Sequence, residues 1–365
     1  MTALSRLVRR RVEIGLALAS LIGTVGLLEV LARIYYAATY RPVLQVLAEH
    51  SPRPPKGQKV VLGDILRPSP DPKIVFEMKP NLDVQFVGVP LVTNAQGWRE
   101  RELAEPKGAR TVRIIGIGDS FMFGWGVPEA DRYMNVLERA LNQGATDVRF
   151  ETATFAVPGY NLPMEVEVLK RYGLATAPDL IIYGYFDNDY CLPNFVAARK
   201  SLWSAESFLR LYLSGGINEW RGLLISRDSV ISEAEADFEA RYCVEGNTQP
   251  EYRDLVGKAH YHAALSELAR IGRSLGIPVV FLRHLPCDRF DGGPIPEGIV
   301  EVDPSPDYGR YLQAHGYANL SSSDLVRGPL DPHPSRLGHQ LIGALMHREL
   351  THRGIVQAIL DARRK

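Results

Sequence analysis

The chain has 365 residues with 42 Lys and Arg against 42 Asp and Glu, so its formal net charge is zero. No excess of positive charge exists to collect a polyanion, which argues against nucleic acid as a partner. At 45% apolar and 23% charged residues the composition is that of a folded globular chain, long enough for one large domain with appendages or for two modest ones.

The first 40 residues depart from that average. Arg6, Arg9, Arg10 and Arg11 precede an uncharged run from Ile14 to Leu28, and a further apolar stretch interrupted by Glu29 and Arg33 ends at Tyr35-Tyr36. A spanning helix needs about 20 residues, which the run reaches only by including Glu29 and Arg33. Four residues apart, these two can pair on one helix face near the bilayer edge. A basic n-region with a short apolar run also fits a cleaved signal peptide, but no small-x-small cleavage site follows Leu28, and the tyrosines suit an interfacial belt. Residues 1–40 therefore read as a cytoplasmic basic tip and a single uncleaved transmembrane anchor in the cytoplasmic membrane, with the main domain periplasmic or extracellular.

Residues 41–110 read as a proline-rich stalk with a small β segment. Ser51 to Gly57 and Arg67 to Pro72 carry too many prolines for a helix or an interior strand. Short β-prone runs follow at Lys73–Phe76, Asp83–Val87 and Pro90–Thr93, then a turn at Asn94 to Arg99. Arg99 can contact an anionic substrate group or, more simply, tie the stalk to the core.

From Thr111 the pattern alternates, giving a domain over 111–365. Strands are expected at 112–117, 149–156, 179–184 and 277–282, and helices at 131–143, 161–174, 252–275, 335–350 and 354–363. Alternating strands and helices imply a parallel sheet covered on both faces, with ligands at the carboxyl ends of its strands. The interval of about 190–250 breaks the alternation. It holds Trp203, Phe208, Leu209, Leu211, Tyr212, Trp220, Leu223 and Leu224, and reads as an ordered helical insertion, a lid or a surface for a protein partner. Cys191, Cys243 and Cys287 allow three pairings; Cys191 with Cys243 would pin both ends of the insertion, and three buried thiols are the other reading.

The apolar run Ile114 to Ile117 ends in Gly118-Asp119-Ser120, which lifts a serine hydroxyl off a strand end, where position and exposure suit a nucleophile. By itself Gly-Asp-Ser is an ordinary turn. Three more places fall at sheet edges or ahead of the last helices: the turn at Gly159, where glycine lets backbone approach a ligand, Asn188-Asp189 after the third strand, and Asp331-Pro332-His333. Among the other histidines, His260 and His262 lack the spacing of a shared metal site, His284 and His315 have no companion motif, and His339 fits helix packing. Asp119 and Asp189 read as turn braces. Gly116-x-Gly118 lacks the third glycine of a dinucleotide fingerprint, and no Walker-type lysine follows. No cofactor or metal is called for.

At these four places the chain resembles the SGNH (GDSL-type) hydrolase superfamily, over about residues 112–352. Gly118-Asp119-Ser120 is similar to the first block, Gly159 to the second, Asn188-Asp189 to the third, and Asp331 with His333 to the last. The Asn94–Arg99 turn and the anchor resemble membrane-tethered bacterial members. The resemblance implies a three-layer α/β/α, flavodoxin-like domain that hydrolyses or transfers acyl esters, with Ser120 as nucleophile, His333 as base, Asp331 as its partner, and an oxyanion hole from the N–H groups of Ser120 and Gly159 and the amide of Asn188. The commonest last block has its acid three residues before the histidine, whereas Asp331 lies two before His333. That Asp-x-His spacing resembles alginate O-acetyltransferase-type proteins, and Ser335 stands where an asparagine often follows His-Pro. The implied substrate is an acyl ester, acylated polysaccharides included. Three functions follow from the resemblance: a short-chain esterase, an O-acyltransferase acting on an exported polysaccharide or envelope polymer, and a non-catalytic subunit of a membrane complex.

Overall fold

The computed structural model describes residues 3–41, 43–49, 52–145, 147–193, 196, 201–214, 243, 248–284, 293–329 and 331–364. Its centre is a five-stranded, all-parallel sheet made of β1 (Thr111–Gly118), β2 (Arg149–Ala156), β3 (Leu180–Tyr185), β4 (Val279–Arg283) and β5 (Ile299–Val302). The spatial order is β5-β4-β3-β1-β2, the doubly wound order of flavodoxin-like sheets, with β3 at the centre, β1 between β3 and the edge strand β2, and the winding order reversing at β1. From Val112 to Gly118 every residue of β1 is buried, as a strand covered on both faces requires.

Besides short helices at Val43–Glu49, Leu62–Ile65 and Ser120–Phe123, the described residues form α1 (Ala3–Thr39), α2 (Tyr133–Asn142), α3 (Leu162–Val168), α4 (Phe208–Ser214), α5 (Lys258–Leu275), α6 (Ser305–His315), α7 (Arg336–His352) and α8 (Ile355–Arg364). One layer packs α2 on α7 and α7 on α8, and the other packs α3 on α5. The three-layer α/β/α architecture expected from the alternation is therefore present. The expected helix at 252–275 is divided: a 3₁₀ turn at Pro250–Leu255 precedes α5, and Gly257 at φ +95° separates them. The helix expected over 161–174 keeps α-form only to Val168 and then widens into a π turn at Leu169–Gly173. Within the main domain, β5, α6 and an antiparallel hairpin of Val326–Gly328 and Asp331–Pro334 that the prolines disguise as loop have no counterpart in the sequence reading.

Residues 52–110 do not stand off as a stalk. Short strands at Leu66–Pro68, Phe76–Met78, Asp83–Phe86 and Val89–Val92 lie over the domain and share its hydrophobic core, where Trp98 packs edge-on against Phe155 and Tyr172. Tyr160 Oη donates to Phe76 O at 2.7 Å. The anchoring side chain is Arg99, 2% exposed, which donates to the carbonyls of Phe123 at 3.0 Å, Gly124 at 2.9 Å and Val127 at 2.7 Å. It braces the turn just after Ser120 rather than facing a ligand.

Helix α1 is 37 residues, about 55 Å at 1.5 Å per residue, and its segment Arg9–Thr39 is long and apolar enough to cross a membrane. Glu29 and Arg33 pair at 2.8 Å. A disulfide joins Cys191 to Cys243, closing the base of the insertion, while Cys287 lies outside the described residues. So do Trp220, Leu223 and Leu224, and the described helical part of the insertion is α4.

Replacing Arg99 by Met keeps volume but removes a donor from three carbonyls; Gly124 O keeps the Val127 N–H, while the buried carbonyls of Phe123 and Val127 lose the guanidinium, each such loss costing about 1–3 kcal/mol. Urea unfolding of Arg99→Met should show a loss of about 3 kcal/mol or more with an unchanged m-value.

Candidate active site

The register of the central strands levels three chain segments at one edge. Gly118 of β1 is paired with Ala156 of β2 on one side and with Gly184 of β3 on the other. Ser120, Gly159 and Asn188 each follow these positions by a few residues, so all three emerge at the carboxyl edge of the sheet. Each exit has its own local cause. Asp119 caps the one-turn helix Ser120–Phe123 by accepting from Phe121 N–H at 2.8 Å, and Gly124 ends that turn at φ +79°. Gly159 sits at φ +89°, a conformation glycine adopts without cost. Asp189 folds the Asn188 loop back on itself, accepting from Tyr183 Oη at 2.5 Å and from Phe186 N–H at 3.1 Å.

The Gly159 and Asn188 loops are also stitched together. Asn161 caps α3 by accepting from Met164 N–H at 3.2 Å, while its amide donates to Cys191 O at 3.0 Å and Leu255 O at 2.6 Å. Leu162 N–H donates to Asp189 O at 3.0 Å. Asn188 itself is half-buried, and its Oδ1 is enclosed without a hydrogen-bond partner.

His333 arrives from the hairpin rather than from the sheet. Its Nε2 lies 2.8 Å from Ser120 Oγ, and its Nδ1 lies 2.7 Å from Asp331 Oδ1. Burial alone would raise Asp331, but hydrogen bonds from His333 and Arg327, together with the imidazole's charge when protonated, hold it down to about 2. An ionised Asp331 makes Nδ1 the protonated nitrogen of neutral His333 and leaves Nε2 to accept from the serine hydroxyl. At the Asp-x-His spacing the carboxylate still reaches the ring, because Asp331 Oδ1 also accepts the His333 N–H, at 3.2 Å, folding the acid back onto its own histidine.

Several residues at this site escaped the sequence reading. Arg327 Nε donates to Asp331 Oδ2 at 2.8 Å, and its Nη1 to Gly126 O at 3.0 Å. The imidazole of His333 lies between two rings, Phe121 at 4.8 Å and Trp125 at 5.4 Å between centroids, the latter nearly parallel. Arg327 was traceable only through the antiparallel pairing of Gly328 with Asp331.

Behind the serine lies a buried layer of titratable groups. Burial pushes Asp119 up to about 6 and drives Glu165 and Asp189 well above the ordinary carboxylate range. Neither oxygen of Glu165 has a hydrogen-bond partner. Burial pulls His284 down to about 3 and His339 well below the usual imidazole range. Both are therefore neutral packing groups. His284 donates from Nδ1 to Tyr185 O at 3.2 Å and accepts at Nε2 from Tyr133 Oη at 2.9 Å. His339 Nδ1 accepts from Tyr133 N–H at 3.2 Å. Among the described residues no cluster of three or more His, Cys, Asp or Glu has metal-binding geometry.

No protein-family model and no curated protein matches the chain. Solved structures do match. A G-D-S-L family protein from Desulfitobacterium hafniense DCB-2 shares 14% identity over 65% of this chain and 98% of its own, with a TM-score of 0.37. The acetyl xylan esterase AlAXEase shares 14% identity over 64% and 98%, with a TM-score of 0.36. The lipase/acylhydrolase from Enterococcus faecalis shares 14% identity over 66% and 96%, with a TM-score of 0.35.

A carboxyl raised by burial stabilises the fold below its unfolded pKa, and that contribution is lost as pH rises through the folded value. For Asp119 the window runs from about 4 to about 6. Asp119→Asn keeps the cap without the charge, so relative to wild type it should gain about 2 kcal/mol between pH 4 and pH 7.5 in urea unfolding. A pH-independent difference would contradict the assignment.

Proposed function

We propose that the chain is a membrane-anchored, extracytoplasmic serine esterase of SGNH type that cleaves acyl esters through Ser120, His333 and Asp331. The observation that carries the reading is the unbroken relay from Ser120 Oγ through His333 to Asp331, at 2.8 and 2.7 Å, standing at the carboxyl edge of a doubly wound sheet. A serine hydroxyl is a weak nucleophile until a base takes its proton, and neutral imidazole is matched to that task near pH 7.

In this mechanism Ser120 Oγ attacks the ester carbonyl as its proton passes to His333 Nε2. The carbonyl π pair moves onto oxygen, and the resulting oxyanion is received by the N–H groups of Ser120 and Gly159 and by the amide of Asn188. Collapse expels the alcohol, which leaves with the proton held by His333, and Ser120 keeps the acyl group. Water then repeats the sequence with His333 as base, releasing the carboxylic acid. Asp331 fixes the tautomer and balances the imidazolium, and Arg327 holds the second oxygen of Asp331. An acyltransferase runs the same first half-reaction and passes the acyl group to a sugar hydroxyl instead of water.

Three observations support the location: the apolar helix α1, the basic residues that precede its uncharged run, and a disulfide of the kind that persists in oxidising compartments.

Acetyl-ester turnover with and without an oligosaccharide acceptor tests the reading. Ser120→Ala and His333→Ala should each lower kcat by about 10⁴-fold or more, and Asn188→Ala by about 10²–10³-fold with little change in KM. Arg327→Ala should lower kcat on the order of tenfold, since it acts on the triad only through Asp331. Turnover that survives in the folded Ser120 variant would refute the mechanism, and acyl transfer outpacing hydrolysis would identify the transferase.

A further inference from the structure

Residues 201–214 lie along α1, on the face made by Glu29, Ala32, Arg33 and Tyr36. The two charged residues that interrupt the apolar run after Leu28 make this contact. Glu29 acts as the cap of α4, accepting from the N–H groups of Phe208 and Leu209, each at 2.9 Å, and from Ser207 Oγ at 2.8 Å. Arg33 donates to the carbonyls of Leu202, Ser204 at 3.2 Å and Glu206 at 3.0 Å, and its guanidinium lies 4.6 Å from the Phe208 ring centre. Ala32, Tyr36, Phe208 and Leu211 close an apolar seam beneath.

The outward side of this segment is unusually apolar for a surface. Trp203 is 95% exposed, Leu213 76% and Tyr212 51%. The level at which it sits follows from α1. A hydrocarbon core of about 30 Å takes about 20 helical residues, which counted from Ile14, the first after the charged Arg9 to Glu13 stretch, ends at Arg33. Tyr35, Tyr36 and Tyr40 then fall in the headgroup layer, where tyrosine and tryptophan concentrate. Because α4 is fixed to Glu29, Arg33 and Tyr36, its exposed Tyr212 and Leu213 and the nearby Trp203 share that depth.

We propose that residues 201–214 form an interfacial membrane element, latched to the spanning helix by Glu29 and Arg33 and inserted through Trp203, Tyr212 and Leu213 into the outer headgroup and acyl boundary. The occupant of this face is phospholipid. The inference rests on the membrane-anchor part of the proposed function and extends it. The insertion leaves β3 directly after Asn188, so the loop offered as an oxyanion donor continues into a segment held at the bilayer surface. This keeps the serine's sheet edge close to the membrane and favours substrates presented there over those diffusing far from it.

The test uses the full chain with Cys287→Ser, reconstituted into phosphatidylcholine–phosphatidylglycerol vesicles. An environment-sensitive fluorophore is placed in turn at Leu213→Cys, at Leu21→Cys within the span, and at Arg149→Cys on the exposed opening of β2. The proposal expects the probe at 213 to be quenched about twofold more than that at 149 by lipid bearing a shallow acyl-chain nitroxide, and the probe at 21 to be quenched best by a deep one. Adding Glu29→Ala and Arg33→Ala should abolish the shallow quenching at 213 while leaving that at 21. A probe at 213 that iodide reaches as freely as at 149, with the one at 21 still deep, would overturn the interfacial element and leave the anchor standing. Iodide access at both 213 and 21 would overturn the anchor and the element together.

Discussion

The hydrogen bond from Ser120 to His333 joins residues 213 positions apart, and most of the fold serves to hold its two ends within 2.8 Å. One end is fixed by β1, buried between β3 and β2, with Asp119 capping the turn and Arg99 holding the carbonyls that follow it. The other is fixed by a hairpin whose histidine is gripped by Asp331, itself gripped by Arg327, and whose exit into α7 is capped by Ser335, whose Oγ accepts from Gly338 N–H at 3.2 Å. Neither end has many ways to move. Preorganisation of this kind is what a triad needs, since its hydrogen bonds must already exist when the oxyanion forms.

That rigidity has a cost in buried polarity. Glu165 and Asp189 sit behind the serine with carboxyl oxygens that lack partners, and Asp119 is fully enclosed. Desolvation favours their neutral forms, while His284 and His339 are kept neutral from the opposite direction. Glu165 and Asp189 are compatible with folding because protons, rather than counter-ions, balance them. The acids gain stability as pH falls towards about 4, the histidines lose it, and the two trends oppose each other.

Local signals announced the parts of this structure that rest on local causes. Buried strands such as Ile114 to Ile117 and Leu180 to Gly184 are apolar runs, α2 and α7 follow helical periodicity, and Ser120, Gly159 and Asn188 stand at strand ends where glycine and cap residues mark the exits. The pairing of Glu29 with Arg33 was readable from their four-residue spacing. What stayed hidden depends on distant contacts. β5 is a short edge strand with Glu301 among its apolar residues, the hairpin that carries His333 is built from prolines, and Arg327 meets Asp331 only once that hairpin closes. The proline-rich lead-in reads as an extended stalk because its attachment through Arg99 spans 24 residues or more. Likewise Glu29 looks like half of an ion pair until residues 207–209 supply the N–H and O–H groups it accepts.

The most direct measurement is covalent: the full chain is exposed to a fluorophosphonate and its peptides are mapped by mass spectrometry. A serine activated by imidazole is phosphonylated, whereas an ordinary turn serine is not. A Ser120 activated by His333 gives a single adduct, on the peptide containing Ser120, absent from His333→Ala even though the serine remains. A folded protein that takes no adduct, or takes it elsewhere while Ser120 stays unmodified, would contradict this activation.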